Sequence, residues 1–231
     1  MRVLALDAAT EACSVALLVD GAAITRTIES GKSNAVKILR MADEVLAEGQ
    51  ISLSMLDGIA ASVGPGAFTG VRISVAVAQG LAFGAGLKVV PVTTLEALAL
   101  QVLEGSGSRA IACLDARMGE VYWGCFGWDG ARGVHECGAS RVGPPENVAI
   151  TPSGRYLGIG RGFSAYPVLA TLPGVEIDAL QSAALPNARE IARLGALRLV
   201  HEGLDPADLK PLYLRDKVAF TESERAAHSP L

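Results

Sequence analysis

The chain has 231 residues, of which 50% are apolar, 5% aromatic and 19% charged. Half apolar content excludes intrinsic disorder, because such a chain can bury a core. The net charge of −4 is spread over both halves (7 basic and 10 acidic residues before Gly107, 13 and 14 from there on), which excludes a basic nucleic-acid-binding domain.

Residues 2–7 form a short apolar run ending in Asp7, and 12–19 a second strand rich in Val and Leu. Asp20-Gly21 suits a tight hairpin turn into a third strand at 22–29. Ser33 or Asn34 can cap a helix to about Glu48, with Val36, Ile38, Leu39, Met41, Ala42, Val45 and Leu46 apolar. A strand at 57–63, a long apolar helix at 69–84, a strand at 88–91 and a helix at 94–103 follow. Hairpins need antiparallel pairs and strand–helix alternation needs parallel crossovers, so a mixed sheet with helices on both faces is expected. Residues 104–108 read as a hinge, which divides the chain into lobes at 1–107 and 108–231, with the C-terminal segment able to pack back on the first lobe. Residues 211–215 read as a short extended segment docked against a lobe. The second lobe restarts with a strand at 109–115, again ending in Asp, followed by strands at 119–128 and 134–138 and a helix at 188–202. Residues 143–186 are rich in Gly and Pro and give no clear periodicity, and the polar tail from Thr221 is expected to fray.

The mean hydropathy of +0.36 raises the question of a membrane span. The charge-free run between Arg72 and Lys88 has 15 residues and contains Gln79 and three glycines. A span needs about 20. The start, MRVLALD, meets Asp7 at once and does not read as an export signal, so a cytoplasmic, reducing compartment is expected. Cys13, Cys113, Cys125 and Cys137 form no C-x-x-C pair and read as reduced thiols.

Four stretches could carry chemistry. Asp7-Ala-Ala-Thr10 places a carboxylate and a hydroxyl at a strand-end turn, where they could face a nucleotide's phosphates or bond local backbone. Gly31-Lys32-Ser33 lacks the upstream glycine of a phosphate-binding loop, since Arg26 stands there, and reads as a turn plus a helix cap. Gly64-Pro-Gly-Ala-Phe-Thr-Gly70 is the most distinctive. Gly64 and Gly66 permit either an anion cradle at a helix start or close packing of that helix. The helix that follows carries small residues at every fourth position: Gly66, Gly70, Ser74, Ala78, Ala82 and Gly86. Such a ridge lets another helix approach, so a partner surface is expected here. A bulky charged residue at Ser74 or Ala78 should then abolish pairing without unfolding. Asp115, Arg117 and Glu120 surround a turn, as a phosphate or metal site or as a hairpin ion pair. His135, His201 and His228 are scattered and form no H-x-x-x-H, and no G-x-S-x-G is present, so a metal or serine hydrolase has little support.

ALDAATEACSVAL, GPGAFTGVRISVAVAQGLA, DARMGEVYW and PLYLR, in this order, resemble the bacterial TsaB (YeaZ) family along nearly the whole chain. The resemblance implies an α/β, two-lobed actin/sugar-kinase/Hsp70-like (ASKHA) fold with mixed sheets flanked by helices. It implies a non-catalytic scaffold that supports synthesis of N6-threonylcarbamoyladenosine, next to the anticodon of ANN-decoding tRNAs. The implied partners are a TsaD-like catalytic subunit and a TsaE-like ATPase, with a homodimer when alone, tRNA contacted only indirectly and no membrane. No cofactor is implied, and Asp7, Thr10, Gly64 and Gly66 would be vestigial phosphate loops. The catalytic relative's H-x-x-x-H matches Asn34 and Ile38 here, neither a metal ligand of that kind. The implied interface lies on the two first-lobe helices: Ile38, Met41, Ala42 and Val45 on one, and Gly70, Val71, Ser74, Ala78, Leu81 and Ala82 on the other. The alternatives are a small-molecule kinase or ATPase of the same fold, using Asp7, Thr10, Asp115 and the turn from Gly64 to Gly70, and a protease, for which no nucleophile–base pair is seen.

Overall fold

A computed structural model describes residues 1–29, 35–104, 109–130, 133–150 and 154–215. The candidate caps Ser33 and Asn34, the Gly31-Lys32-Ser33 turn, hinge residues 105–108, His228 and the tail lie outside the described residues.

The first sheet has the order β3-β2-β1-β4-β5, with β1 Arg2–Asp7, β2 Ala12–Val19, β3 Ala22–Glu29, β4 Gly58–Ser62 and β5 Lys88–Val92. β1–β2 and β2–β3 are antiparallel, while β1–β4 and β4–β5 are parallel. The sheet is mixed for the reason the sequence implies. Asp20 and Gly21 both have positive φ, 49° and 91°, as a two-residue hairpin turn between right-twisted strands requires. Helix α1 (Ala35–Glu48) returns from β3 and α2 (Phe68–Ala85) from β4. Since β3 and β4 point the same way, the two helices run parallel, side by side on one face of the sheet. By length and apolarity α2 could cross a membrane. It is nevertheless seated on the first sheet, with Ser74 and Ala78 fully buried.

Helix α3 (Thr94–Leu103) starts with a capping box, in which the Thr93 hydroxyl accepts from the Glu96 amide at 3.1 Å and the Glu96 carboxylate accepts from the Thr93 amide at 2.9 Å. It packs on the second sheet, not the first. That sheet has the order β11-β10-β6-β7-β8, from β6 Arg109–Arg117, β7 Glu120–Asp129, β8 Gly133–Glu136, β10 Tyr156–Ile159 and β11 Val175–Glu176, while β9 (Arg141–Gly143) pairs with β7. Residues 143–186 contain only short pieces, including α4 (Gly162–Ala165) and α5 (Ala179–Ser182).

Helix α6 (Ala188–Glu202) belongs to the second half of the chain but covers the open face of the first sheet. One core therefore runs from the first sheet through α6 and α3 into the second sheet. At its centre Arg198 on α6 donates to Glu96 at 2.8 Å and to the Val134 carbonyl at 2.7 Å. A second core lies under α1 and α2 and includes Ile38, Met41, Ala42 and Val45.

Candidate functional site

The C-terminal ends of the parallel strands face each other across a cleft of about 380 Å³, lined by Thr10, Glu11 and the 65–68 turn on one side. On the other side lie Asp115, Arg117, Tyr122 and Arg161, and residues 212–215 complete the wall. Sheets of this kind bind ligands at strand C-termini, so the expected phosphate-binding residues lie in the right region. Their detail differs from a cradle.

Asp7 is 0% exposed beneath the turn. Its Oδ1 accepts from the Ala9 amide at 3.0 Å, and Oδ2 has no hydrogen-bond partner among the described residues. Burial pushes its pKa from 3.8 up to about 6, against the lowering effect of Ser62 and the Ala9 amide. The Thr10 hydroxyl is buried at the cleft edge and has no hydrogen-bond partner among the described residues. Gly66 and Gly70 serve close packing. A Cβ at Gly66 would overlap the Ala9 carbonyl and one at Gly70 the Ala8 carbonyl. The Ala67 amide, at the start of α2, donates to Ala9 at 2.7 Å. Gly64, at φ 101°, is crowded by the Leu212 carbonyl. These glycines are thus required for close packing on the chain's own backbone, and the 65–68 turn also lines the cleft.

The pKa of Asp7 carries a stability consequence. Below pH 4 the carboxyl is protonated in both folded and unfolded states. As pH rises from 4 through 6 the unfolded chain releases its proton first, so stability falls, and above 6 the fold carries a buried charge. Asp7→Asn is expected to raise stability at pH 7.5 by on the order of 2–3 kcal/mol, and to change it little near pH 4. Thermal melts of both chains at the two pH values measure this; an equal difference at both would contradict it.

Asp115, Arg117 and Glu120 do come together around the β6–β7 turn, as ion pairs. Arg117 bonds Asp115 at 2.9 Å and is 75% exposed, and Glu120 pairs with Arg215. Arg117, Met118 and Gly119 all have positive φ, as this hairpin turn requires. No group of three or more His, Cys, Asp or Glu that could hold a metal occurs among the described residues. Burial pushes the Cys113 thiol up, which leaves it an inert core residue.

The expected helix interface needs correction. Ile38, Met41, Ala42, Val45, Gly70, Val71, Ser74, Ala78 and Ala82 are all buried within the chain, and Leu81 is half-buried against the same core. The Ser74 hydroxyl accepts from the Ala8 amide at 2.8 Å and from Ser62 at 3.2 Å. The small-residue ridge faces the chain's own sheet and β1–β2 turn, so it is not open to a partner. Ser74 and Ala78 variants would test folding, not pairing.

The opposite face of the same helices is open and apolar. Phe83 is 82% exposed and Val36 75%, with Leu39, Ala76 and Gly80 also exposed and Ile73 and Val77 half-buried. Ile73, Ala76, Val77, Gly80 and Phe83 recur at three- and four-residue steps, which is one helix stripe. An exposed apolar stripe that includes a bare Phe is unusual for a free surface. The spacing was visible in the sequence, but an almost wholly apolar helix gives no polar face to fix which stripe turns outward.

Residues 29–132 match the family model for TsaD, tRNA N6-adenosine threonylcarbamoyltransferase. Over 226 residues the chain is 37% identical to the tRNA threonylcarbamoyladenosine biosynthesis protein TsaB of Escherichia coli, covering 95% of this chain and 97% of that protein. The TsaB of Haemophilus influenzae is 34% identical over 232 residues, covering 95% and 96%. The solved structure of YeaZ from Pseudomonas aeruginosa superposes with a TM-score of 0.83 at 37% identity, covering 92% of this chain and 99% of that one. With likeness of this extent in both sequence and fold, the chain belongs to the TsaB (YeaZ) family.

Proposed function

We propose that the protein is a non-catalytic scaffold subunit in tRNA N6-threonylcarbamoyladenosine synthesis. It pairs with a TsaD-like catalytic subunit through the outward stripe of α1 and α2, works beside a TsaE-like ATPase and meets tRNA only through its partner. In this reading the two sheets are the lobes of an ASKHA fold, and the chain acts in the cytoplasm. The observation that carries it is the open apolar face holding Val36, Leu39, Ala76, Gly80 and Phe83. Burying such a stripe supplies roughly 25 cal/mol per Å² of apolar area, less the costs of association. In the absence of the partner the same stripe would join two copies of the chain.

Co-expression with the TsaD-like subunit of the same cell, followed by capture of this chain, tests the proposal. Stoichiometric recovery of that subunit is expected; recovery of this chain alone, with the subunit present and soluble, would refute it. The alternative of a kinase or ATPase has the free Thr10 hydroxyl at the cleft in its favour. Gly66 and Gly70 pack closely on the Ala9 and Ala8 carbonyls, which accounts for these glycines without a ligand. Isothermal titration of the isolated chain with Mg-ATP is expected to show no micromolar binding, and saturable micromolar binding with turnover would favour the alternative.

A further inference from the structure

The Pro-Leu-Tyr-Leu-Arg segment takes no part in the partner face, yet its path is closely fixed. After α6 the chain pairs Leu204 with Val89 at the edge of β5, through two backbone bonds of 2.8 and 3.0 Å. It then crosses α2, where the Gln79 side chain donates to the Pro206 and Leu209 carbonyls at 2.9 and 3.1 Å. Leu209 is buried in the core under α1 and α2. The Leu212 amide donates to the Val63 carbonyl, just past the end of β4, at 2.7 Å. The Tyr213 hydroxyl accepts from Arg72 Nε at 2.8 Å, and the same guanidinium lies 3.6 Å over the ring of Phe68. Up to this point every anchor belongs to the first lobe.

Arg215 changes lobes. Its guanidinium donates to the Ala116 carbonyl at 3.2 Å and to the Glu120 carboxylate, both on the β6–β7 hairpin. The pair is half-shielded, with the Arg215 side chain 17% exposed and that of Glu120 33%. Leu214 packs against the core shared by the two lobes. Far from the cleft the lobes are joined by α3 and α6. On the cleft side they are bridged by this segment and by Arg161, which donates to Glu11 at 2.8 Å and to Glu29 at 3.2 Å.

We propose that residues 209–215 are a strap that latches the second-lobe hairpin to α2 and sets the width of the inter-lobe cleft. Backbone bonds and the Tyr213 contact fix the strap to the first lobe, and the Arg215–Glu120 pair closes it on the second. Residues 212–215 form a wall of the cleft, so anything entering the cleft must fit beside the closed strap or displace it. Because Gln79 and Arg72 hold the strap from α2, the helix bearing the outward stripe is tied to the second lobe as well as to its own sheet. Arg215, Glu120 and Gln79 are positioning residues in this scheme.

Hydrogen exchange of the isolated full-length chain tests the strap without any partner, so its outcome is separable from that of the pairing experiment. Arg215→Glu and Glu120→Arg are each expected to speed exchange of the 114–122 hairpin amides and of the Leu212 amide at least tenfold. Exchange in β1 and α6 should be unchanged. The double swap, Arg215→Glu with Glu120→Arg, restores the opposite charges and is expected to return exchange to near the parent rate. Hairpin exchange that stays at the parent rate in both single variants would overturn the latch. So would a double swap as fast as the singles, since that would show loss of local packing and not loss of a bridge.

Discussion

Gly80→Arg is expected to weaken pairing with the TsaD-like subunit by two orders of magnitude or more, while leaving the chain folded. Gly80 lies in the middle of the outward stripe of α2, and a Cβ added there meets nothing within 4 Å. Replacing a helix-interior glycine at an exposed site adds on the order of 0.5–1 kcal/mol of stability. The melting temperature should therefore hold or rise. In the proposed complex the same position would be buried against the partner, where a guanidinium would be both large and desolvated. A hundredfold loss corresponds to about 2.7 kcal/mol, within the range of a disrupted interface hot spot. Phe83→Glu should act in the same direction. Titration calorimetry with the partner, alongside thermal melts of the free chain, separates the two effects. Unchanged affinity in Gly80→Arg would mean that the partner sits elsewhere.

Ser74→Glu, on the other side of the same helix, is expected to unfold the chain. Ser74 is fully buried, and its hydroxyl is the acceptor for the Ala8 amide. Losing that acceptor leaves a buried N–H unpaired, at a cost of about 1–3 kcal/mol. The new carboxylate would lie in the same buried network as Asp7, whose own pKa is already raised by desolvation. Overpacking adds about 1–3 kcal/mol more. Together these approach the whole stability of an ordinary domain, about 5–15 kcal/mol. Ser74→Ala, which loses only the acceptor, should cost about 1–3 kcal/mol and remain folded. Urea unfolding of the two variants gives the comparison, and a Ser74→Glu chain as stable as the parent would show that the ridge is not buried as described.

Most of the first lobe was legible because its signals are local. The Asp20-Gly21 turn fixes the β2–β3 register, and the strand–helix alternation fixes which neighbours are parallel. Thr93 and Glu96 mark the start of α3 through a capping box. The outward face of α2 was not legible for a related reason. Its polar residues, Arg72, Ser74 and Gln79, fall on different sides, so the 3.6-residue period has no phase. The ridge of small residues did signal a close approach, but what approaches Gly66 and Gly70 is the carbonyl of Ala9 and of Ala8. The same contacts account for Gly66 and Gly70 through packing alone. The 211–215 segment reads as extended and docked, but its anchors, like residues 143–186, were opaque because the pieces are too short for periodicity and are held by distant partners. Arg215 with Glu120 and Arg161 with Glu11 are pairs that only the folded chain brings together. Assigning α6 to the second lobe by its place in the sequence likewise hid its role as a cover for the first sheet.

Hydroxyl-radical footprinting of the chain with and without its TsaD-like partner tests the central claim most directly. Phe83, Val36 and Leu39 are reactive side chains that lie open in the free protein, so their labelling should fall sharply in the complex. Met118, 62% exposed in the β6–β7 turn, should keep its labelling. Protection of Met118 with Phe83, Val36 and Leu39 still reactive would place the partner at the β6–β7 turn and contradict the assignment of the α1–α2 stripe.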